Sequence, residues 1–200
     1  MGGPDNLRGI EYQISYTVYR VVAALISDPR NVIGFEVESL DNGAEDLNIH
    51  YEDGRIERIQ IKKRDESYQW LPSGLKPVLK RFVENQKPTD DFVFVTNAPG
   101  NADLRILKEK IASGMKLDSQ MLKKFTAGGL TQRNVSKILR RTAIYTRAFS
   151  SDDDTQPGKV LREKAKQILS TPPYWLAGDL DDAFNAIWTY VYDVPFKHAP

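Results

Sequence analysis

Between residues 45 and 64 the chain reads EDLNIHYEDGRIERIQIKKR, and its apolar positions recur at every second place. Leu47, Ile49 and Tyr51 alternate with Asp46, Asn48 and His50, and after Asp53-Gly54 the residues Ile59 and Ile61 alternate with Arg58, Gln60 and Lys62. A period of two is that of a half-buried strand, so this stretch predicts a β-hairpin with one buried and one wet face. An acid, an amide and a lysine share the wet face. A two-residue Asp53-Gly54 loop would set Leu47 opposite Gln60 and mix apolar with polar side chains on each face. A three-residue loop, Glu52-Asp53-Gly54, with Gly54 left-handed beside a bulge, pairs Asp46 with Gln60 instead, and is the loop expected.

The flanking segments have clear periods of their own. Residues 7–26 place Ile10, Ile14, Val18, Val21, Val22 and Leu25 on one helical stripe, and Asp28-Pro29 ends that helix. Residues 32–39 alternate Ile33, Phe35 and Val37 with Gly34, Glu36 and Glu38, a strand with two carboxylates on one side. Leu75, Val78, Leu79, Phe82 and Val83 return to helical spacing, with Ser73 as the expected N-cap and Pro77 in the first turn. The run DFVFVTN at 91–97 suits a strand buried on both faces. Three short helices are expected next, on Leu104, Leu107 and Ile111, on Leu117, Met121 and Phe125, and on Val135, Ile138, Leu139 and Thr142, with Thr131 capping the last. The acidic stretch SSDDDTQPG at 150–158 reads as a linker, and two further helices, the second carrying Phe184, Trp188, Tyr190 and Tyr192, are expected beyond it.

Composition narrows the function classes. With no cysteine, disulfides, thiolate metal sites and cysteine nucleophiles are excluded. With no leader and no long apolar run, the chain is expected to be soluble, cytoplasmic and not membrane-bound. The formal net charge of +1 conceals segregation: residues 101–150 carry eleven basic against three acidic residues, whereas both flanks are net acidic. Lys108, Lys110, Lys123, Lys124, Arg133, Lys137, Arg140, Arg141 and Arg147 lie in or beside the expected short helices. Such a basic segment suits a polyanionic partner, and an ordinary solvated helical surface gives the same count.

Phosphodiester hydrolysis needs a neutralised phosphate, an activated water and stabilisation of charge on the attacking and leaving oxygens. Asp46 can hold a divalent metal, Gln60 can offer its side-chain oxygen as a neutral ligand, and Lys62 can orient the water. Mg²⁺ prefers oxygen ligands and retains waters, so one or two carboxylates plus substrate phosphate suffice.

Asp46, followed fourteen residues later by Gln60-Ile61-Lys62 on the next strand, within an order helix, three strands, helix, strand, resembles the PD-(D/E)xK nuclease superfamily in its Q-x-K form. The resemblance covers residues 7–98. Gly9-Ile10-Glu11-Tyr12-Gln13, Gln60 to Arg64, Trp70 and Thr96-Asn97 bring it closer to one branch, the N-terminal double-strand DNA endonuclease domains of bacterial anti-phage effectors, including those tied to cyclic-oligonucleotide signalling.

The resemblance implies an α/β, restriction-endonuclease-like core with a mixed central sheet flanked by helices, followed by a C-terminal helical subdomain. It implies a nuclease core at 7–98, a basic helical extension at 99–149, the linker-like loop at 150–158 and a helical segment at 159–200. It further implies cleavage of double-stranded DNA with Mg²⁺, for which Mn²⁺ can substitute, by a homo-oligomer that forms on activation. A C-terminal sensor or NTPase domain outside this chain would be fused to it. Carried over to this chain, Asp46 matches the metal-binding acid, Gln60 a position often filled by Asp or Glu, and Lys62 the catalytic lysine. The backbone carbonyl of Ile61 and one of Glu11, Glu36 or Glu38 would complete the metal ligands. Gln13 stands where a first-helix Glu is common, so two amides replace carboxylates here. Lys63, Arg64, Lys123, Lys124, Arg133, Lys137, Arg140 and Arg141 are the expected DNA contacts. Two rival readings remain: a nuclease-like module that binds nucleic acid without cutting it, and an interaction domain whose basic helices dock an acidic partner.

Overall fold

The computed structural model describes residues 4–27, 31–37, 46–65, 67–84 and 87–146, together with Glu163 and Gln167. Its first helix, α1 (Pro4–Ser27), stops just before Asp28-Pro29. It is buried over more of its girth than one stripe, because Tyr12, Ser15, Tyr16 and Thr17 are enclosed as well as Val18, Val21 and Val22, while Leu25 in the last turn is exposed.

Strands β1 (Val32–Val37), β2 (Leu47–Tyr51) and β3 (Ile56–Lys62) form an antiparallel meander. The β2–β3 register pairs Leu47 with Ile59 and Asn48 with Arg58, the register of the three-residue loop. Tyr51 N–H donates to the Arg55 carbonyl at 3.0 Å and Gly54 N–H to the Tyr51 carbonyl at 3.0 Å. Gly54 has φ 79°, the left-handed conformation in which a side chain is disfavoured.

Helix α2 (Pro72–Glu84) begins one residue before the expected cap Ser73, with Pro72 in the first helical position, where a missing N–H costs nothing. Strand β4 (Asp91–Thr96) then pairs parallel with β3, matching Gln60 to Phe94 and Lys62 to Thr96. Helices α3 (Ala102–Ala112), α4 (Ser119–Phe125) and α5 (Gln132–Leu139) are capped by the side chains of Asn101, Asp118 and Thr131.

Two expectations are corrected. Thr142 does not extend the third short helix; it opens strand β5 (Thr142–Tyr145), which pairs parallel with β4 and completes a five-stranded sheet in the order β1-β2-β3-β4-β5. Four residues are too few to display a period, and the β-branched Thr142 and Ile144 are selected by the buried strand beside them. The polar face of the hairpin is also not wet. Asn48 and Gln60 are 3% and 1% exposed.

Both faces of the sheet are covered. On one, α1 packs Tyr12, Tyr16 and Val21 against Leu47, Ile49, Ile59, Ile61, Val93 and Val95. On the other, α2 through α5 enclose Phe92 and Phe94. No described helix is long and apolar enough to cross a membrane. The expected linker, Arg147, the aromatic run from Phe184 to Tyr192 and the rest of the C-terminal segment lie outside the described residues, save for the two helical residues Glu163 and Gln167.

Candidate active site

Strand β3 outruns β2 by a few residues, and the candidate site occupies the step. Asp46 stands just before β2, its N–H bonded to the Ile59 carbonyl at 2.9 Å. The β2–β3 ladder among the described residues ends at Leu47 and Ile59, and beyond it Ile61 N–H donates to Asp46 Oδ2 at 2.5 Å. That bond draws the carboxylate into the plane of the sheet, where both covering layers reach it. From α1, Gln13 Nε2 donates to Oδ1 at 2.6 Å; from the opposite face, Gln60 Nε2 donates to Oδ2. Lys62 Nζ lies 3.9 Å from Oδ2, with its side chain 35% exposed against 13% for Asp46.

Burial holds the Asp46 carboxyl above its ordinary pKa of 3.8, outweighing the downward pull of the Lys62 ammonium, the Ile61 N–H, the Gln60 amide and the Arg81 guanidinium. Arg81 belongs to the last turn of α2 and was not among the residues singled out from the sequence. Its position on an exposed helical face carries no sequence signal.

Gln60 Oε1 is buried and has no hydrogen-bond partner among the described residues. Side-chain amides present oxygen and nitrogen in nearly the same shape, so turning this one end for end would present the oxygen to Asp46. Within a strand, a residue's carbonyl points to the same side as its N–H, so that of Ile61 also faces the step beyond β2. One carboxylate, one orphaned amide oxygen and one strand-end carbonyl fit a hard cation that keeps several waters, such as Mg²⁺ or Mn²⁺. Among the described residues no group of three or more His, Asp or Glu side chains could hold a metal. Glu36 is occupied by Asn48 Nδ2 at 3.2 Å and lies 3.8 Å from His50. Glu11 lies in α1, and its side chain, like all of Glu38, lies outside the described residues.

Asp46, Gln60, Ile61, Lys62 and Gln13 therefore converge, at the C-terminal ends of the parallel strands β3 and β4, where open α/β sheets place their ligands. Lys63 and Arg64 follow directly. Arg64 exchanges backbone bonds with the Asn97 amide, its N–H to Oδ1 at 2.8 Å and its carbonyl from Nδ2 at 2.7 Å. The remaining basic residues are elsewhere. Lys124 Nζ is 2.6 Å from Asp103, and Arg141 packs on Phe92 and donates to the Lys87 carbonyl. Arg133, Lys137, Arg140 and Arg141, with Lys116, line a groove of about 810 Å³ that holds no acidic side chain. Arg141 accepts from Phe92 N–H at the start of β4, four residues or about 13 Å from Thr96. The groove and the Asp46 site thus lie toward opposite ends of the sheet. Lys123 is exposed on α4.

No family model matches the chain, and no curated protein does. Solved structures do match. The Cap4 SAVED/CARF-domain containing receptor of Acinetobacter baumannii superposes on 94% of this chain with a TM-score of 0.60 at 13% identity. Its complex with the cyclic trinucleotide 2'3'3'-cAAA gives 0.58 over 92% at 12% identity. The Cap4 receptor of Moraxella osloensis gives 0.55 over 93% at 13% identity. The likeness is one of fold. This chain covers 43%, 40% and 43% of those three chains, less than half of each.

Proposed function

We propose that this chain is a Mg²⁺-dependent endonuclease domain that hydrolyses phosphodiester bonds of double-stranded DNA, as the effector part of a bacterial anti-phage protein. One observation supports the reading: Asp46, Gln60 and Lys62 meet at a strand-end step where Gln60 Oε1 is buried without a partner among the described residues. A buried, unsatisfied acceptor costs stability; Asn48 Oδ1 and Asp90 Oδ1 are buried in the same way, and what sets the Gln60 oxygen apart is its place beside the Asp46 carboxylate and Lys62. The shared fold with SAVED/CARF-domain receptors supports the setting, since one of those is a complex with a cyclic trinucleotide. A sensor or NTPase domain joined to this one, activation through homo-oligomers and a cytoplasmic location belong to the same proposal.

Asp46, Gln60 Oε1 and the Ile61 carbonyl would hold the cation. When bound it polarises a phosphate oxygen and lowers the pKa of a water. Lys62, half-exposed at the mouth, donates a hydrogen bond to the attacking water or the scissile phosphate and offsets the charge that grows there. Gln13 fixes the rotamer of Asp46 from α1. The basic groove, at the other end of the sheet, would grip the backbone of the same duplex without reading sequence.

A second reading has an observation of its own. Among the described residues the Asp46 carboxylate accepts only from N–H donors, Gln13, Gln60 and Ile61, which is how a purely structural carboxylate is held. On that reading the domain binds nucleic acid and does not cut. Supercoiled plasmid incubated with the purified protein in Mg²⁺, Mn²⁺ or chelator separates the two. Nicking in either metal that chelator stops supports the nuclease; retention of DNA that is indifferent to metal, with no nicking, supports the binder.

A further inference from the structure

Past Lys62 the chain runs Lys63-Arg64-Asp65 and then turns, with Tyr68 N–H bonded to the Asp65 carbonyl at 2.9 Å. Both ends of this turn are tied to the strand beside the site. Asn97 brackets the backbone of Arg64 from both sides, and the indole N–H of Trp70 donates at 2.9 Å to the hydroxyl of Thr96, the residue paired with Lys62. Trp70 is buried and packs edge-on against Phe94 at 4.9 Å. Tyr68 meets Trp70 edge-on at 5.5 Å and is 38% exposed, and Leu71 beside it is 47% exposed. The Arg64 guanidinium lies 5.5 Å from the Tyr68 ring and 5.6 Å from the Trp70 ring.

An exposed tyrosine and the planar face of an arginine, braced on a buried tryptophan and continuous with three successive cations, form a surface for a flat π-system attached to a polyanion. Folding alone gains little from leaving a tyrosine and a leucine exposed here, whereas a nucleobase is amphipathic, planar and joined to phosphate. A base within an intact duplex presents only its edge and cannot stack on such a surface, so the base must be unpaired.

We propose that Tyr68 and Arg64 form a stacking platform for an unpaired DNA base adjoining the cleavage site, so that this domain prefers duplexes containing unpaired nucleotides over perfect ones. The inference rests on the reading of this end of the sheet as a DNA site. Arg64 then acts through its plane as well as its charge, and Tyr68 is the residue that confers the preference. Asp65 stays ionised, its carboxylate held by the Ser67 N–H at 2.8 Å and the Ser67 hydroxyl at 2.5 Å, and its single charge is outnumbered by the successive cations Lys62, Lys63 and Arg64.

The test is equilibrium binding by fluorescence anisotropy, in chelator so that nothing is cut, of a labelled perfect duplex and of the same duplex with three mismatched central pairs. The expected result is tighter binding of the mismatched duplex by the wild-type protein. Tyr68→Ala should remove about tenfold of that affinity while leaving the perfect duplex unaffected, and Tyr68→Phe should retain it. Arg64→Lys should reduce the preference though the charge is kept. Equal binding of both duplexes by the wild type, or equal loss on both with Tyr68→Ala, overturns the platform. Because no turnover is measured, a domain that never nicks plasmid but shows the preference would refute the nuclease reading and leave the platform standing.

Discussion

The amide nitrogen of Gln60 is hydrogen-bonded to the carboxylate of Asp46, and that contact leaves the Gln60 oxygen buried without a partner among the described residues. The pair is thus arranged half for structure and half for something else. A glutamate in place of Gln60 would set two carboxylates against each other in a nearly closed space; the amide avoids that repulsion at the cost of one unsatisfied acceptor. Any gain in local positive charge, from a cation or from Lys62 moving inward, would satisfy both residues together.

Lys62→Ala should fold as the wild type does, because the lysine is partly exposed and stands 3.9 Å from Asp46, at the limit of an ion pair. Its melting temperature should stay close to the wild-type value, as is usual for surface changes of within about 0.5 kcal/mol. Plasmid nicking in Mg²⁺ should fall by about 10² or more, the scale on which loss of one transition-state donor is felt. Undiminished nicking by this variant would remove Lys62 from the mechanism.

Asp46→Asn should separate stability from activity. The carboxyl's folded pKa lies above its ordinary value of 3.8, so the ionised group destabilises the folded state relative to the unfolded one at neutral pH. Its protonated form is favoured by the fold, and that contribution is present below 3.8 and lost as pH rises through the raised folded value. Asparagine does not titrate, but it offers one acceptor oxygen and an NH₂ group where the carboxylate accepts from Gln13, Gln60 and Ile61, so its melting temperature relative to wild type should fall as pH drops from 7 toward 3.8, while nicking is lost at every pH. Differential scanning fluorimetry across that range reads the effect, and a difference between the two proteins that does not change with pH would contradict it.

The parts of this fold that sequence reveals are those with a repeating local cause. The hairpin register followed from Gly54 and the need to keep Leu47 and Ile59 on one face, and the same alternation brought Asp46, Gln60 and Lys62 into one neighbourhood. What stayed hidden depends on partners distant in the chain. Strand β5 exists because β4 offers it a buried edge, and its four residues carry no period. The polar face reads as wet because nothing within the hairpin reveals that Asn48 and Gln60 are enclosed. Gln13 was marked as a supporting residue by resemblance, yet its bond to a carboxylate 33 residues away is set by how α1 crosses the sheet. Arg81 was missed for the same reason.

Gly54→Ala should destabilise without touching the site. A Cβ at Gly54 meets nothing within 4 Å, so the cost is conformational alone and arises from φ 79°. For a non-glycine residue in that region it is about 1–2 kcal/mol. Urea midpoints of the two proteins check it, with nicking per folded molecule unchanged.

The anchor between α1 and the sheet predicts a larger, non-additive loss. Arg20 Nε donates to Glu57 Oε1 at 3.1 Å, a second guanidinium nitrogen bonds Oε2, and the Tyr51 hydroxyl donates to Oε2 at 3.0 Å. Burial and the neighbouring carboxylate push that hydroxyl's pKa up to about 12, so it stays a donor throughout the usual range. Glu57 and Arg20 side chains are only 10% and 23% exposed, so removing either leaves the other's charge poorly solvated. Arg20→Leu and Glu57→Leu should each cost about 3 kcal/mol, and the double variant much less than their sum, because desolvating a matched pair roughly cancels its attraction. Gln13 sits two helical turns before Arg20, so an α1 loosened at Glu57 should also release Gln13 from Asp46. Urea unfolding of the four proteins gives the cycle, and additive losses would show that Arg20 and Glu57 act independently.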